Sequence, residues 1–278
     1  MLALALFTVL SLGCGSEPES IVEEAEAIVH RAGSPVETAG PTLNVLSWNI
    51  KGSAVKRNPD HLHEIAEVVR EIDPDVVLLQ EVHRHTKAAG EIDQFVLLSE
   101  SLGMSGCFGE SLRVGEEGSY GNAILTTGAV GPSRVHSLPG KGEPRTLLEC
   151  LSEWNDLEAT VMTTHLTAWD RANRRTRNLQ VRAIESVVSD LEARRLVLGG
   201  DFNASLSSRE MRSLRDSPHL RAVIPDYVVT HPRTGRHYDH LLVGKGWKNE
   251  EARVLRTGPS DHWPVVATLS FGGSDGRQ

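Results

Sequence analysis

Six short polar clusters border apolar stretches of the chain and carry the side chains needed for hydrolysis at phosphorus. They supply carboxylates and amides, whose oxygens bind hard divalent cations, and imidazoles, which accept protons near neutral pH. A cation and a base are what metal-assisted cleavage of a phosphate ester requires. The clusters are Trp48-Asn49, Gln80-Glu81, Tyr120-Gly121-Asn122, His165, Gly200-Asp201-Phe202-Asn203 and Ser260-Asp261-His262.

The apolar stretches predict strands with helices between some of them. A helix is predicted after Asn58-Pro59, because a capping residue and a first-turn proline precede apolar residues at helical spacing and Pro74 ends the pattern. A second helix is predicted around residues 179–191. The predicted strands span residues 43–48, 76–79, 123–126, 146–151, 159–164, 196–199, 239–243 and 263–269.

Some neighbouring strands have no helix between them, which predicts hairpins and mixed sheets. Asn49, Glu81, His165 and Asp201 come at the ends of their strands. Two further groups, Asp239 and His262, come at the starts of theirs. Because antiparallel neighbours place the end of one strand beside the start of the next, all of these side chains are expected to meet along one edge of the sheets.

The ordered set of motifs resembles the endonuclease/exonuclease/phosphatase superfamily over residues 42–269. The resemblance implies an α/β fold, a four-layer sandwich of two mixed β-sheets packed face to face with helices outside. It also implies a divalent-metal-dependent phosphoesterase. The motifs that carry it are Trp48-Asn49, Gln80-Glu81, Tyr120-Gly121-Asn122, Thr164-His165-Leu166, Gly200-Asp201-Phe202-Asn203, Tyr238-Asp239-His240 and Ser260-Asp261-His262-Trp263-Pro264-Val265.

Chemistry and the resemblance together assign a metal site. Glu81 is the expected ligand, because Mg²⁺ prefers oxygen donors and often binds through one or two carboxylates plus substrate phosphate. Asn49 and Asp261 are expected to complete or border the site. The expected ion is Mg²⁺, with Mn²⁺ as the alternative.

His262 is the expected general base, and the resemblance makes Asp239 the carboxylate that orients it. The same resemblance gives Asp201 and Asn203 the task of positioning the attacking water and one phosphate oxygen. His165 is expected to donate a hydrogen bond or a proton to the phosphoryl group, where charge builds in the transition state.

Three further residues complete the expected site, Tyr120 as a catalytic residue and Asn122 and Arg145 as substrate-binding residues. Tyr120 and Asn122 are expected to face the phosphate oxygens, and Arg145 either reaches a phosphate or is solvated. In pancreatic-type deoxyribonucleases a glutamate stands at the position of Asn122 and supports the first histidine, so this supporting role is in doubt here.

Other polar residues are interpreted as surface groups. Two histidine pairs suggest zinc binding, but we interpret both as solvated surface groups. One pair falls in a predicted helix, where residues i and i+2 do not lie on the same face. The arginine-rich stretch from Arg171 to Arg182 is expected to face water. The segment from His231 to His237 is expected to overhang the pocket and contact substrate. The histidine pairs are His61 with His63 and His83 with His85.

The amino-terminal segment predicts export. Residues 1–14 resemble a bacterial signal peptide, either plain or of the lipoprotein type with lipidation and membrane attachment at Cys14, giving a secreted or an anchored protein. Residues 15–41 are expected to be a flexible tether, residues 42–271 the catalytic domain and residues 272–278 a disordered tail. Cys107 and Cys150 are expected either to form a disulfide or to remain free thiols.

The expected activity is hydrolysis of a phosphodiester by in-line attack of water, by a monomer acting on a small molecule, a lipid headgroup or DNA. The net charge of −8 disfavours tight tracking along a polyanion. The alternatives are an exported DNA endonuclease, or a catalytically silent scaffold that keeps the fold for binding.

Overall fold

A computed structural model describes residues 41–168, 171–191 and 193–272, within which twelve strands form two sheets. The predicted signal segment with Cys14, the tether up to residue 40 and the tail from residue 273 lie outside these ranges. The strands are β1 (Thr42–Asn49), β2 (Val76–Arg84), β3 (Ser105–Val114), β4 (Gly118–Thr126), β5 (Ala129–Leu138), β6 (Arg145–Trp154), β7 (Leu157–His165), β8 (Leu196–Asp201), β9 (Leu220–Ala222), β10 (Asp239–Gly244), β11 (Trp247–Val254) and β12 (Val265–Phe271).

Each sheet has six strands and mixed pairing. The first, sheet A, has the order β11-β12-β1-β2-β4-β3, and the second, sheet B, has the order β5-β6-β7-β8-β10-β9. One pair in each sheet is parallel, β1 with β2 and β7 with β8. The connection across each parallel pair contains a helix, as parallel pairing requires.

Three apolar clusters separate four layers in the described part of the chain. One cluster fills the space between the sheets and contains side chains such as Leu78 of sheet A and Val161 of sheet B. A second packs sheet A against α1 and α2, and a third packs sheet B against α3. The four-layer α/β sandwich expected from the sequence is confirmed. The helices are α1 (His61–Ile72), α2 (Gln94–Leu102), α3 (Arg174–Ser189) and the short α4 (Arg212–Arg215).

The eight predicted strands and both predicted helices are present. β2 ends five residues beyond its predicted end and β4 begins five residues before its predicted start, so Glu81 and Asn122 lie inside strands. The last strand begins at Val265 instead of residue 263, after Pro264, whose nitrogen cannot donate to a ladder. Nothing in the sequence indicated α2 or four of the strands, β3, β5, β9 and β11. All four of these strands lie at the edges of the two sheets, and β5 is exposed along nearly its whole length.

Among the described residues, no helix is long and apolar enough to cross a bilayer.

Gly200 allows β8 to lie against β7 just before Asp201. A Cβ atom at this position would lie 2.1 Å from the carbonyl oxygen of Thr164, and the Gly200 φ angle is +150°. Only glycine fits this combination of close backbone approach and unusual φ. The close contact between the backbones of β8 and β7 holds Asp201 in register with His165.

We expect Gly200→Ala to destabilise the protein by about 3 kcal/mol, because the methyl group must push the two strands apart. The matched control is Gly90→Ala, since Gly90 has a φ of +73° but no described atom within 4 Å of the point where a methyl group would lie. It should cost only about 1 kcal/mol. Equilibrium denaturation measures both values, and equal losses would show that the contact with Thr164 does not matter.

Candidate active site

The predicted polar residues meet at one end of the two sheets. The register pairs Asp201 of β8 with His165 of β7 on one side and with Asp239 of β10 on the other. From sheet A, the amide nitrogen of Asn49 donates to Glu81 at 3.0 Å and to Asp201 at 3.1 Å, joining the two sheets. The polar side chains from the two sheets therefore lie together along one edge, as expected.

A β-bulge aims Glu81 at this end. The pairing of β2 with β4 slips between Leu79 and Val82, so Glu81 has no regular partner there and adopts a φ of +60°. Bulges redirect side chains, and left-handed non-glycine residues are concentrated at functional sites. Lys51 and Asn203, with φ angles of +49° and +51°, share this conformation in the same site.

His262 and Asp239 form a buried hydrogen-bonded pair. Nδ1 of His262 lies 2.8 Å and 3.0 Å from the two carboxylate oxygens of Asp239. Nε2 of His262 is thus left on the side of the ring that faces Asp201, whose nearest oxygen is 3.6 Å away. This is the orientation in which an imidazole can exchange a proton with a molecule in the cavity.

Residues outside the pair fix its position. The indole nitrogen of Trp48 donates to the carbonyl oxygen of His262 at 2.9 Å, and the Ser260 hydroxyl accepts from the His262 backbone at 3.2 Å. The fully buried hydroxyl of Thr230 accepts from the backbone of Asp239 at 3.1 Å. Thr230 was not among the residues predicted from the sequence, since nothing marks a threonine in a loop as a partner of a distant strand.

Electrostatics keeps this group charged. Burial opposes the charged form of His262, but the carboxylates of Asp239 and Asp201 outweigh it and raise the pKa of His262 to about 10. Burial likewise works against the Asp239 anion, yet His262 holds the pKa of Asp239 below its usual range. Burial raises the pKa of Asp201 to about 7. In this state His262 is an imidazolium at neutral pH.

His165 links Tyr120 to Asp201. Its Nδ1 lies 3.5 Å from the Tyr120 hydroxyl, and its Nε2 lies 3.4 Å from a carboxylate oxygen of Asp201. Burial, with Arg145 and His262 nearby, lowers the pKa of His165 well below its usual value. Burial raises the pKa of Tyr120 well above its usual value. Both groups are neutral near pH 7, so His165 can donate a hydrogen bond but does not carry a readily lost extra proton.

Asn203 buttresses Asp201 from the following loop. Its backbone N–H donates to Asp201 at 2.9 Å, and its side-chain nitrogen donates to the carbonyl oxygen of Leu166 at 3.1 Å. The Asn203 side chain lines the cavity beside Asp201 and His165.

Arg145 lines the cavity and has buried hydrogen-bond donors without partners among the described residues. Nη2 pairs with Glu143 at 2.8 Å, whereas Nε and Nη1 are buried and have no hydrogen-bond partner among the described residues. The alternative of a solvated arginine is wrong, because the residue is only 9% exposed. Asn122 does not face the cavity, since its amide donates to the carbonyl oxygen of Thr146 at 3.3 Å and steadies the start of β6.

The side chains surround a cavity of about 380 Å³. Eight of the eleven predicted site residues line it, while Asn49, Asn122 and Asp239 do not. Asn49 and Asp239 are hydrogen-bonded to Asp201 and His262, which line the cavity, and Asn122 is hydrogen-bonded to Thr146, which does not. His231 also lines it, with its ring centroid 4.6 Å from that of His262, as expected for the segment that it begins. The lining residues are Lys51, Glu81, Tyr120, Glu143, Arg145, His165, Ala168, Asp201, Asn203, His231, Asp261 and His262.

The predicted metal ligands fit a hard cation. Burial raises the pKa of Glu81, and the hydrogen bond from Asn49 offsets this only in part. Such a partly buried carboxylate is stabilised by a positive ion, and the donor atoms of the predicted ligands are oxygens. Asp261 forms an ion pair with Lys51, a residue that was not predicted from the sequence although it follows Asn49 closely. Ligand atoms of Asp201, Asp239 and His262 also lie within 4.8 Å of one another, close enough to hold an ion.

Several polar residues interpreted as surface groups are buried instead. His61 is fully buried and contacts the carbonyl oxygen of Ile50 at 2.7 Å. His83 is 8% exposed, and burial lowers its pKa to about 4. Arg177 is 1% exposed, pairs with Glu210 at 3.1 Å and donates to the carbonyl oxygen of Ala168, which lines the cavity. These side chains hold loops around the site, a role that charge alone does not reveal.

The chain is similar to known proteins in sequence and in fold. Residues 46–262 match the sequence model of the Endonuclease/Exonuclease/phosphatase family. A solved endonuclease/exonuclease/phosphatase from Beutenbergia cavernae is 26% identical, with 84% of this chain and 72% of that chain covered and a TM-score of 0.71. No curated protein matches the sequence significantly.

Two further solved structures share the fold at lower identity. The human nocturnin catalytic domain with bound sulfate anion is 22% identical, with 85% of this chain and 96% of that chain covered and a TM-score of 0.69. The 2',3'-cyclic phosphatase ANGEL2, in complex with adenosine-2',3'-vanadate, is 16% identical, with 84% of this chain and 96% of that chain covered and a TM-score of 0.66.

We expect Asp239→Asn to lower the pKa of His262, because the variant removes the carboxylate that contributes most to raising it, and burial then favours the neutral ring. Histidine NMR titration of metal-free protein measures the change. Asp216→Asn is the control, since Asp216 is an exposed carboxylate paired with Arg215. A His262 pKa that stays near 10 in Asp239→Asn would contradict the pairing.

Proposed function

The chain belongs to the endonuclease/exonuclease/phosphatase family, and we propose that it hydrolyses a phosphodiester by in-line attack of water that His262 and Asp239 activate. Members of this family are divalent-metal-dependent hydrolases of phosphoester bonds, so the reaction class follows from membership. The observation that carries the proposal is the His262 ring, which is held by Asp239 through Nδ1 and turns Nε2 toward the cavity.

In the proposed reaction neutral His262 takes a proton from water through Nε2 while Asp239 stabilises the resulting imidazolium. Asp201 and Asn203 orient the water. His165 donates a hydrogen bond to a phosphate oxygen as charge builds on it, and the Tyr120 hydroxyl supports the ring at Nδ1. The supporting contacts join the two sheets to each other and to the loops after β8 and before β12.

The proposed cation is Mg²⁺, with Mn²⁺ as the alternative, held by Glu81 with Asp261 and Asn49 beside it. When bound, the ion polarises a phosphate oxygen and, through its positive charge, disfavours the imidazolium of His262. Because free His262 is charged, the neutral base is expected only in the loaded enzyme.

Arg145 is proposed to bind the phosphate. Its buried Nε and Nη1 atoms lack partners within the described ranges, and such donors cost free energy unless a ligand satisfies them. An arginine fork matches phosphate oxygens geometrically. Lys51 and His231 border the same cavity and are proposed to contact the rest of the substrate.

A phosphodiester is preferred for the bond. ANGEL2, which shares the fold, is a 2',3'-cyclic phosphatase, and a cyclic phosphate is itself a diester. The net charge of −8 still argues against extended binding along DNA. The proposal includes export, with or without attachment through Cys14, and a monomeric state. Parallel assays on plasmid DNA, sphingomyelin and inositol phosphates would identify the substrate class.

We expect His262→Ala to lower turnover of bis-p-nitrophenyl phosphate by about 10² to 10⁴, the usual contribution of a general base, with folding intact. His63→Ala, on the exposed face of α1, is the matched control. Turnover is measured with added Mg²⁺ and again with EDTA, and thermal unfolding checks the fold. Wild-type protein without metal-dependent turnover would favour the silent scaffold, and an unchanged His262→Ala rate would remove the base assignment.

We expect Glu81→Gln to raise the Mg²⁺ concentration for half-maximal activity at least about tenfold, because it removes the anionic oxygen of the proposed ligand. Glu67→Gln, a surface change in α1, serves as the control. Metal titration of the hydrolysis rate gives the result. An unaltered Mg²⁺ requirement in Glu81→Gln would move the metal elsewhere in the cavity.

A further inference from the structure

Residues of β3 and β6 face each other across the sandwich in a regular series. Near the active site the hydroxyls of Ser111 and Thr146 are hydrogen-bonded at 2.6 Å. Two residues further along each strand, a Cβ atom on Gly109 would lie 3.1 Å from the Cβ of Leu148. Each step moves two residues along both strands, which is the repeat of side chains on one face.

The next pair in this series is Cys107 and Cys150. The two sheets are unusually close to each other here. Stacked sheets are commonly about 10 Å apart, whereas the space between Gly109 and Leu148 holds little more than one methyl group. A disulfide needs Cβ atoms roughly 3.5 to 4.5 Å apart. Continuing the two rows by one step places Cys107 opposite Cys150, so the geometry points to Cβ atoms near this range.

Each of the two thiols also shifts the pKa of the other. Their mutual interaction is the leading cause of a raised pKa at Cys107 and of a lowered pKa, about 7, at Cys150. Cys150 is fully buried in the core cluster between the sheets, and Cys107 packs against that cluster while remaining half-buried. The thiols are free in this structure.

We propose that Cys107 and Cys150 are an oxidation site that forms a disulfide between the two sheets. The oxidant is a disulfide compound such as glutathione disulfide. One cysteine thiolate attacks it and releases a glutathione thiolate, and the second cysteine thiolate then attacks the mixed disulfide and releases the other glutathione. The two cysteines lose two protons and two electrons, and one glutathione disulfide becomes two glutathione molecules.

The bridge would tie together the halves of the molecule that build the active site. Glu81 and Tyr120 come from sheet A, whereas His165 and Asp201 come from sheet B. β6 carries both Cys150 and, at its start, Arg145. A covalent link between β3 and β6 therefore restrains the separation of the two sheets that build the cavity, in addition to the apolar packing and the hydrogen bonds between them.

The test refolds the full chain in a glutathione redox buffer and compares it with chain kept in dithiothreitol. Both samples are alkylated with N-ethylmaleimide in denaturant, digested without reduction and mapped by mass spectrometry. The expected result is one linked peptide that contains Cys107 and Cys150 in the oxidised sample. We also expect the oxidised chain to melt about 10 °C higher, because the bridge closes a long loop in the unfolded state.

The controls are Cys107→Ser and Cys150→Ser, with Cys107→Ala as the replacement if a serine variant does not fold. Each should lack the linked peptide and show no oxidant-dependent change in melting temperature. Alkylation of both cysteines in oxidised wild type would overturn the proposal, as would persistent glutathione adducts on either. The mapping does not depend on enzymatic activity, so its outcome is independent of the proposed function.

Discussion

The active site depends on the balance of charge around three buried groups, Asp201, Asp239 and His262. Each is almost fully removed from water, where an unpaired charge would be very costly. One imidazolium between two carboxylates keeps the arrangement charged without leaving any member alone. Because the three residues come from β8, β10 and the loop before β12, this balance also draws sheet B toward the end of sheet A.

The backbone around these groups is shaped to serve them. Glu81 reaches the cavity through a bulge and a left-handed conformation, and Asn203 adopts a similar conformation after Asp201. Such conformations cost roughly 1 to 3 kcal/mol each and persist only where packing over-determines them. Here the packing is supplied by both sheets, and Asn49 bonds directly to Glu81 and Asp201 across the junction.

Loops that border the cavity are held by polar groups from outside it. Arg177 of α3 fixes the carbonyl oxygen of Ala168, and Thr230 fixes the backbone of Asp239. These groups do no chemistry in the proposed reaction, yet they determine how far the reacting side chains can move. Buried hydrogen-bonded networks of this kind favour a single conformation.

The amino-acid sequence was enough to establish most of the strands, because buried strands appear as apolar runs. The ordered motifs, through their family resemblance, were enough to establish the four-layer class and the set of chemical groups. The sequence did not reveal β5, whose exposed polar residues have no apolar signature, or the burial of His61 and Arg177, whose partners lie on other elements. The folded chain was needed to show that Asn122 faces a backbone carbonyl and that Arg145 has donors without partners in the described ranges. Side-chain orientation and the pKa of His262 depend on distances between strands, and distance in space is not encoded in spacing along one chain.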